Sequence, residues 1–215
     1  MMSEEQIIEN AINYIKLIFR EDCSGHDYHH SIRVYRNAIR IATKEGGNLL
    51  LIKLAALLHD TDDRKLFPDS VDQENARKFL QDNGVDEEDI NRICKIIRTV
   101  SFSGGGSSSP ESIEGKIVQD ADRLDALGAI GIARTFAYGG HKGRLIYDPC
   151  EQPIENMTAE EYKNHTSNSY NHFYEKILKL KNLINTATAR AIAEQRHAFL
   201  ENFLDEFISE WNGDR

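Results

Sequence analysis

The hydrophobic residues of this chain recur mostly every three or four positions, which is the spacing of an amphipathic α-helix. Such stripes predict helices near residues 3–20, 28–45, 70–83, 86–100, 111–137, 158–183 and 185–211. All four prolines fall between these helices, where they break no helical hydrogen bond. No stretch of useful length alternates between apolar and polar residues, so we expect an all-α fold.

The segment from Leu49 to Leu58 is apolar on nearly all sides, which predicts a helix in the middle of the core. Apart from Lys53, its first polar residues are the pair His59-Asp60. Burying an imidazole and a carboxylate costs several kcal/mol unless the protein compensates for the lost hydration. A bound cation is one compensation and a hydrogen-bonded structural pair is another, so this pair alone leaves both interpretations open.

Three further segments interrupt the helical pattern. Gly128 and Gly131 predict a break or a close helix contact within 111–137. Residues 101–110 are rich in Gly and Ser, so they form either a lid beside a site or a surface connector. Residues 138–157 have the composition of a loop, and their basic part, 139–144, is a candidate for closing over a polyphosphate.

The length, net charge and cysteine content of the chain limit its domain number, its partners and its compartment. A chain of 215 residues suits one domain, with a core at about 20–135 and C-terminal helices at about 158–211 packed on it. The net charge of −9 argues against nucleic acid or an anionic membrane as a partner. Three distant cysteines, no basic leader and no apolar run of ~18 residues favour the cytoplasm.

Polar residues interrupt two other apolar helices. His30 opens the second helix, and Asp120, Asp122 and Asp125 lie in the predicted helix 111–137. Together with the His59-Asp60 pair, three helices can bring two imidazoles and two carboxylates to one point, which is how helical cores build metal sites.

Three blocks of sequence, at 25–34, 55–60 and 118–129, resemble the H…HD…D signature of the HD-domain metal-dependent phosphohydrolases. The third block is similar to a compact bacterial subgroup, the YpgQ/YedJ-like proteins, and the resemblance spans residues from about 7 to 211. It implies an HD-domain helical bundle with a C-terminal helical extension.

The resemblance also implies a ligand set for one divalent cation: His30, His59, Asp60 and Asp122. Asp120 and Asp125 are rivals of Asp122. Mixed nitrogen and oxygen ligands suit Mn²⁺, our preferred ion, or Fe²⁺, Co²⁺, Ni²⁺ or Zn²⁺ better than Mg²⁺. Dinuclear relatives need extra histidines between the doublet and the last Asp, and residues 61–140 contain none, which favours a single ion.

Asp63 is the candidate catalytic residue beside the ligands, as a general base or as an acceptor that steers the attacking water. A solvated loop acid or a helix cap is the competing interpretation. The alarmone hydrolases of this superfamily carry a Glu-Asp pair at these offsets, whereas here Asp63 is followed by Arg64, which weakens an alarmone assignment.

A phosphorylated substrate needs cationic or hydrogen-bonding donors near the ligands. The candidates for this role are Arg33, Arg64, Lys65, Lys116, Arg123 and His26. Each of the basic residues has surface charge or a structural ion pair as its competing role.

The resemblance implies hydrolysis of nucleotides, with a nucleoside triphosphate cleaved to a monophosphate and pyrophosphate. A 5′-nucleotidase-type phosphomonoesterase and a non-catalytic metal- or nucleotide-binding regulatory module are the alternatives. The expected partner is a small phosphorylated molecule, and a homodimer is left open.

Overall fold

A computed structural model gives the fold, and it describes residues 2–20, 27–63, 67, 69–100, 109–154, 156–158, 160–161 and 165–214. Within these ranges all regular secondary structure is helical, which confirms the predicted all-α class. The helices are α1 (Glu4–Ile18), α2 (Tyr28–Glu45), α3 (Leu49–Leu58), α4 (Glu74–Asp82), α5 (Glu87–Val100), α6 (Ile113–Asp125), α7 (Gly128–His141), α8 (Asn171–Glu175), a 3-10 helix (Ile177–Leu183) and α9 (Ala187–Asn212).

Short polar side chains set the first turns of several helices. Ser3 and Gln6 form a reciprocal capping box at the start of α1. Asp27 caps α2 by accepting a hydrogen bond from the backbone nitrogen of His30 at 2.9 Å, and Ser112 caps α6 in the same way. The cap at Asp27 therefore fixes the turn of helix that carries His30.

Helix α3 lies at the centre and packs against α1, α2, α5 and α6. Seven of its ten residues are buried, as its apolar sequence predicts. Helix α2 also packs along α6. The N-terminal end of α2 therefore meets the C-terminal ends of α3 and α6, and the polar residues at these three ends face one another.

The C-terminal helix α9 packs against α7, α6, α2 and the 3-10 helix. An aromatic cluster fills the contact with α7. The ring centroid of Phe136 lies about 6 Å from the ring centroids of Phe203 and Phe207. Among the described residues, no helix combines the length and the apolar character that crossing a membrane requires.

Three predicted boundaries differ from the structure. Helix α4 begins at Glu74 rather than near 70, because Asp72 and Gln73 have left-handed backbone angles (φ 55° and 56°) that no helix accommodates. The predicted break at Gly128 is present, with φ +72° between α6 and α7. Helix α7 then continues to His141, so the loop predicted from residue 138 begins later. Of the loop at 101–110, residues 101–108 lie outside the described residues.

The predicted helix at 158–183 is not continuous: residues 165–170 are not helical, whereas Asn171–Glu175 and Ile177–Leu183 are. Backbone nitrogens of Ser169 and Tyr170 donate to the carbonyls of Leu145 and Ile146, both at 2.9 Å. The side chain of Glu175 accepts from Ser167 at 2.7 Å and from the Nε2 of His165 at 3.0 Å. These long-range bonds hold 165–170 in a non-helical path, and only a short α8 and a 3-10 helix follow.

Candidate metal centre

Four polar side chains meet where α2, α3 and α6 converge. His30 lies in the first turn of α2, His59 caps the end of α3, Asp60 follows it, and Asp122 lies near the end of α6. The Nε2 atoms of the two histidines are 3.2 Å apart. Carboxylate oxygens of Asp60 and Asp122 lie 3.3 and 3.4 Å from the Nε2 of His30. The structure therefore brings all four predicted ligands together.

The spacing fits one small divalent ion. Ligands at right angles around an ion with bonds of ~2.1 Å are ~3 Å apart. Four of the five ligand pairs that include a histidine are 3.2 to 3.4 Å apart, and the pair of His59 with Asp122 is wider, at 3.8 Å. The histidine side chains are 2 % exposed, whereas that of Asp122 is 27 % exposed. The cluster is thus closed on the histidine side and open at Asp122.

Hydrogen bonds on the far side of each ring orient the two imidazoles. The Nδ1 of His59 lies 2.9 Å from the carbonyl oxygen of Ala56, which only accepts, so this nitrogen carries the proton. The Nδ1 of His30 lies 2.8 Å from Asp125 Oδ2 and donates likewise. When both rings are neutral, each directs an Nε2 lone pair at the other, and a metal ion between them or a proton on one Nε2 stabilises this arrangement.

The electrostatics of the metal-free cluster favour a cation. Burial and the Arg134 charge lower the pKa of His30, but hydrogen bonds with Asp122, Asp125 and Asp60 outweigh them and raise it to about 10. Burial raises the pKa of Asp122, but the hydrogen bond from His30 and the electrostatic effects of His59 and His30 together outweigh it, so its pKa is lowered. Without a metal ion, a proton on His30 thus offsets part of the negative charge of these carboxylates.

Asp125 lies on α6, one turn after Asp122, and its side chain is 2 % exposed. Besides His30 it binds Arg33, whose Nε and a terminal nitrogen donate at 2.7 and 3.0 Å, and Arg134, which donates at 2.9 Å. The structure therefore places Asp125 behind a candidate ligand and not in the ligand cluster.

Asp120, the other rival of Asp122, faces a different part of the fold. Its carboxylate accepts hydrogen bonds of 2.7 to 2.8 Å from the backbone nitrogens and side chains of Asn185 and Thr186. These residues lead into α9, whose first turn Thr186 caps. Asp120 is fully buried and ties α9 to α6.

The two acids after the doublet also differ in their surroundings. Asp62 accepts hydrogen bonds from the backbone nitrogens of Asn75 and Ala76 at 2.9 and 3.0 Å, and so caps the first turn of α4. Asp63 is half-buried in the turn that follows α3, with its backbone nitrogen donating to the carbonyl of Asp60 at 3.1 Å. Because α3 ends at Leu58, Asp63 reaches the neighbourhood of Asp60 through this turn and not along a helix face.

Two of the predicted substrate contacts have partners within the fold, and their contact with a substrate stays a prediction. Arg33 binds Asp125, as described above, and Arg123 is buried and donates to the backbone carbonyl of Leu183. Lys116 is half-buried on α6, six residues before Asp122 and thus ~9 Å away along the helix axis. The site residues His26, Arg64 and Lys65 lie outside the described residues.

The basic patch at 139–144 begins inside α7 rather than in a loop. The charged ends of Lys142 and Arg144 lie 5.7 and 5.6 Å from the centroid of the Tyr138 ring. These stacked cations also suit the C-terminal end of a helix. Closure over a substrate therefore stays a prediction.

Sequence reasoning missed Arg134, which binds Asp125 from α7. No pattern in a single sequence marks it, since its partner lies across the break at Gly128. The carbonyl of Ala56, which orients His59, was missed as well, because a backbone group has no signature in the sequence.

Comparisons with known proteins agree with this architecture. The family model described as "HD domain" matches residues 27–127, which include all four candidate ligands. A solved protein of Lactobacillus plantarum superposes with a TM-score of 0.84 at 42 % identity, covering 99 % of this chain and 100 % of that one. An HD-superfamily hydrolase of Bacillus thuringiensis superposes with a TM-score of 0.76 at 45 % identity, covering 98 % and 99 %.

The chain is also similar to the YpgQ protein of Bacillus subtilis, at 40 % identity over 207 residues that cover 94 % of this chain and 93 % of YpgQ. The YpgQ crystal structure in complex with ADP superposes with a TM-score of 0.77, and 34 % of the superposed residues are identical over 97 % of each chain. The chain therefore belongs to the HD-domain family, which places it in the class of metal-dependent phosphohydrolases.

Proposed function

We propose that this protein hydrolyses nucleotides with one divalent ion held by His30, His59, Asp60 and Asp122, and that it cleaves nucleoside triphosphates to monophosphates and pyrophosphate. The observation that carries the proposal is the pair of histidine Nε2 atoms 3.2 Å apart, flanked by two carboxylates. When bound, a divalent ion lowers the pKa of a coordinated water and offsets charge on a phosphate oxygen.

The charges around the cluster support an anionic substrate. Asp60, Asp122 and Asp125 carry three negative charges, and Arg33 and Arg134 carry two positive ones. With neutral histidines this group has one net negative charge, which favours a cation. A divalent ion converts it to one net positive charge, which favours a phosphate.

The residues of the chain share the remaining work. The buried histidines exclude water from one side of the cluster, while the exposed side of Asp122 leaves an approach for the substrate. We assign to Asp63 the role of general base, which accepts the proton of the attacking water. The turn that carries Asp63 follows Asp60 directly, and its side chain is half-buried. The nucleotide as substrate class is supported by the ADP complex of YpgQ.

The proposal is tested with a nucleotide panel in the presence of Mn²⁺, measuring orthophosphate and pyrophosphate separately. We expect pyrophosphate from nucleoside triphosphates and a loss of at least ~100-fold in Asp60→Ala. The matched control is Asp82→Ala, an exposed acid on α4 that pairs with Lys78 and keeps full turnover.

Three results would overturn parts of this proposal. Orthophosphate released from monophosphates alone would favour the 5′-nucleotidase alternative. Metal binding without turnover of any phosphoester would favour a regulatory module. Equal turnover in Asp60→Ala and the wild type would refute the site.

A further inference from the structure

The carboxylate of Asp125 connects three helices behind the candidate ligands. It lies on α6 and accepts four hydrogen bonds, one from His30, two from Arg33 and one from Arg134. His30 and Arg33 are on α2, and Arg134 is on α7. The Asp125 side chain is 2 % exposed, so bulk water cannot readily replace a hydrogen bond donor that this carboxylate loses.

The two arginines fix the orientation of this carboxylate. Arg33 donates to both of its oxygens, at 2.7 and 3.0 Å, which defines the plane of the group. Arg134 then donates to Oδ2 at 2.9 Å from the side of α7. The remaining direction of Oδ2 is taken by the Nδ1 of His30 at 2.8 Å.

The same pairing keeps a buried acid charged. Ion pairs with Arg33 at 2.7 Å and with Arg134 at 2.9 Å compensate the charge of this buried carboxylate. Within the described ranges, the Nδ1 of the other candidate histidine ligand, His59, pairs with the neutral carbonyl of Ala56. The two imidazoles therefore differ in what orients them.

We propose that Asp125 is a positioning residue of the metal centre: clamped by Arg33 and Arg134, it holds the Nδ1 proton of His30 and so directs the Nε2 lone pair at the ion. This inference rests on the proposed function, because it takes His30 as a ligand. It also assigns Arg33 to the support of the metal centre instead of to substrate contact. Through Arg134, the geometry of the metal centre depends on the placement of α7.

The test compares Asp125→Asn with Asp120→Asn, a matched control on the same helix. Both acids are buried and fully hydrogen-bonded, but Asp120 contacts the start of α9 and not a candidate ligand. We expect Asp125→Asn to weaken Mn²⁺ binding by roughly 10- to 100-fold in calorimetry. Asp120→Asn should lower the thermal midpoint and leave the Mn²⁺ affinity within twofold of wild type.

Two further measurements distinguish a failure of the positioning role of Asp125 from a failure of the proposed metal site. In the Zn²⁺-loaded wild type, ¹⁵N NMR should show a proton on Nδ1 of His30 and coordination through Nε2. The reverse assignment would overturn the proposal even if Asp125→Asn does not fold. If His30→Ala loses Mn²⁺ binding while Asp125→Asn retains it, the positioning role alone fails. Unchanged Mn²⁺ binding in His30→Ala would refute the ligand set itself.

Discussion

Replacing Asp120 with Asn tests whether this acid is a structural tie and not a metal ligand. The carboxylate accepts four hydrogen bonds of 2.7 to 2.8 Å, two on each oxygen, from Asn185 and Thr186. In Asn one of the two oxygens is replaced by an NH₂ group. This group only donates, so it cannot accept from the two donors that it faces. About two hydrogen bonds to a charged group are lost, each worth about 1.5–3 kcal/mol, so we expect a loss of at least about 3 kcal/mol in the free energy of unfolding.

For a chain of this size a loss of about 3 kcal/mol corresponds to a fall of roughly 6–12 °C in the thermal midpoint. Urea unfolding followed by circular dichroism measures the free energy, and calorimetric titration of the folded variant with Mn²⁺ measures the affinity. A loss below about 1 kcal/mol would refute the tie between α6 and α9. A collapse of Mn²⁺ affinity in a stably folded variant would show that the wrong acid of α6 has been assigned to the metal.

Three further predictions concern protons and packing. Because the pKa of His30 is raised to about 10 without metal, Mn²⁺ binding near pH 7.5 should release about one proton, and a binding enthalpy that is independent of the buffer would contradict this. Burial and the charge of Lys181 lower the pKa of the buried His197, so the unfolded chain takes up that proton first and stability falls as the pH drops below about 6.5. His197→Leu should lose less stability than wild type between pH 7 and pH 5 in urea unfolding, and an equal loss would refute this role. A Cβ on Gly131 would lie 2.1 Å from the backbone oxygen of Ala126, so Gly131→Ala should cost roughly 1–3 kcal/mol in urea unfolding, and a cost near zero would contradict the close contact.

The parts of the site that follow from local sequence could be predicted. His59 and Asp60 end the most apolar segment, so their burial beside the core follows from the pattern alone. The choice of Asp122 over Asp120 and Asp125 depended on the family resemblance, because all three lie on one helix. Their different partners are set by how α2, α7 and α9 pack around α6.

Other features depend on contacts between distant segments and have no local signal. The charge of Arg33 suggested a phosphate contact, but no local signal showed that it also pairs with Asp125, 92 residues later in the chain. The apolar spacing of 158–183 predicted a helix, but bonds to Leu145 and to the buried carboxylate of Glu175 hold 165–170 in another conformation. Tertiary hydrogen bonds outweigh helix propensity in that segment.

The central claim is that one divalent ion binds His30, His59, Asp60 and Asp122, and crystals grown with Mn²⁺ test it most directly. The account predicts a single anomalous peak at roughly 2–2.3 Å from the Nε2 atoms of both histidines and from a carboxylate oxygen of each aspartate. No peak at this position, or a peak coordinated by Asp120 or Asp125 in place of Asp122, would contradict it.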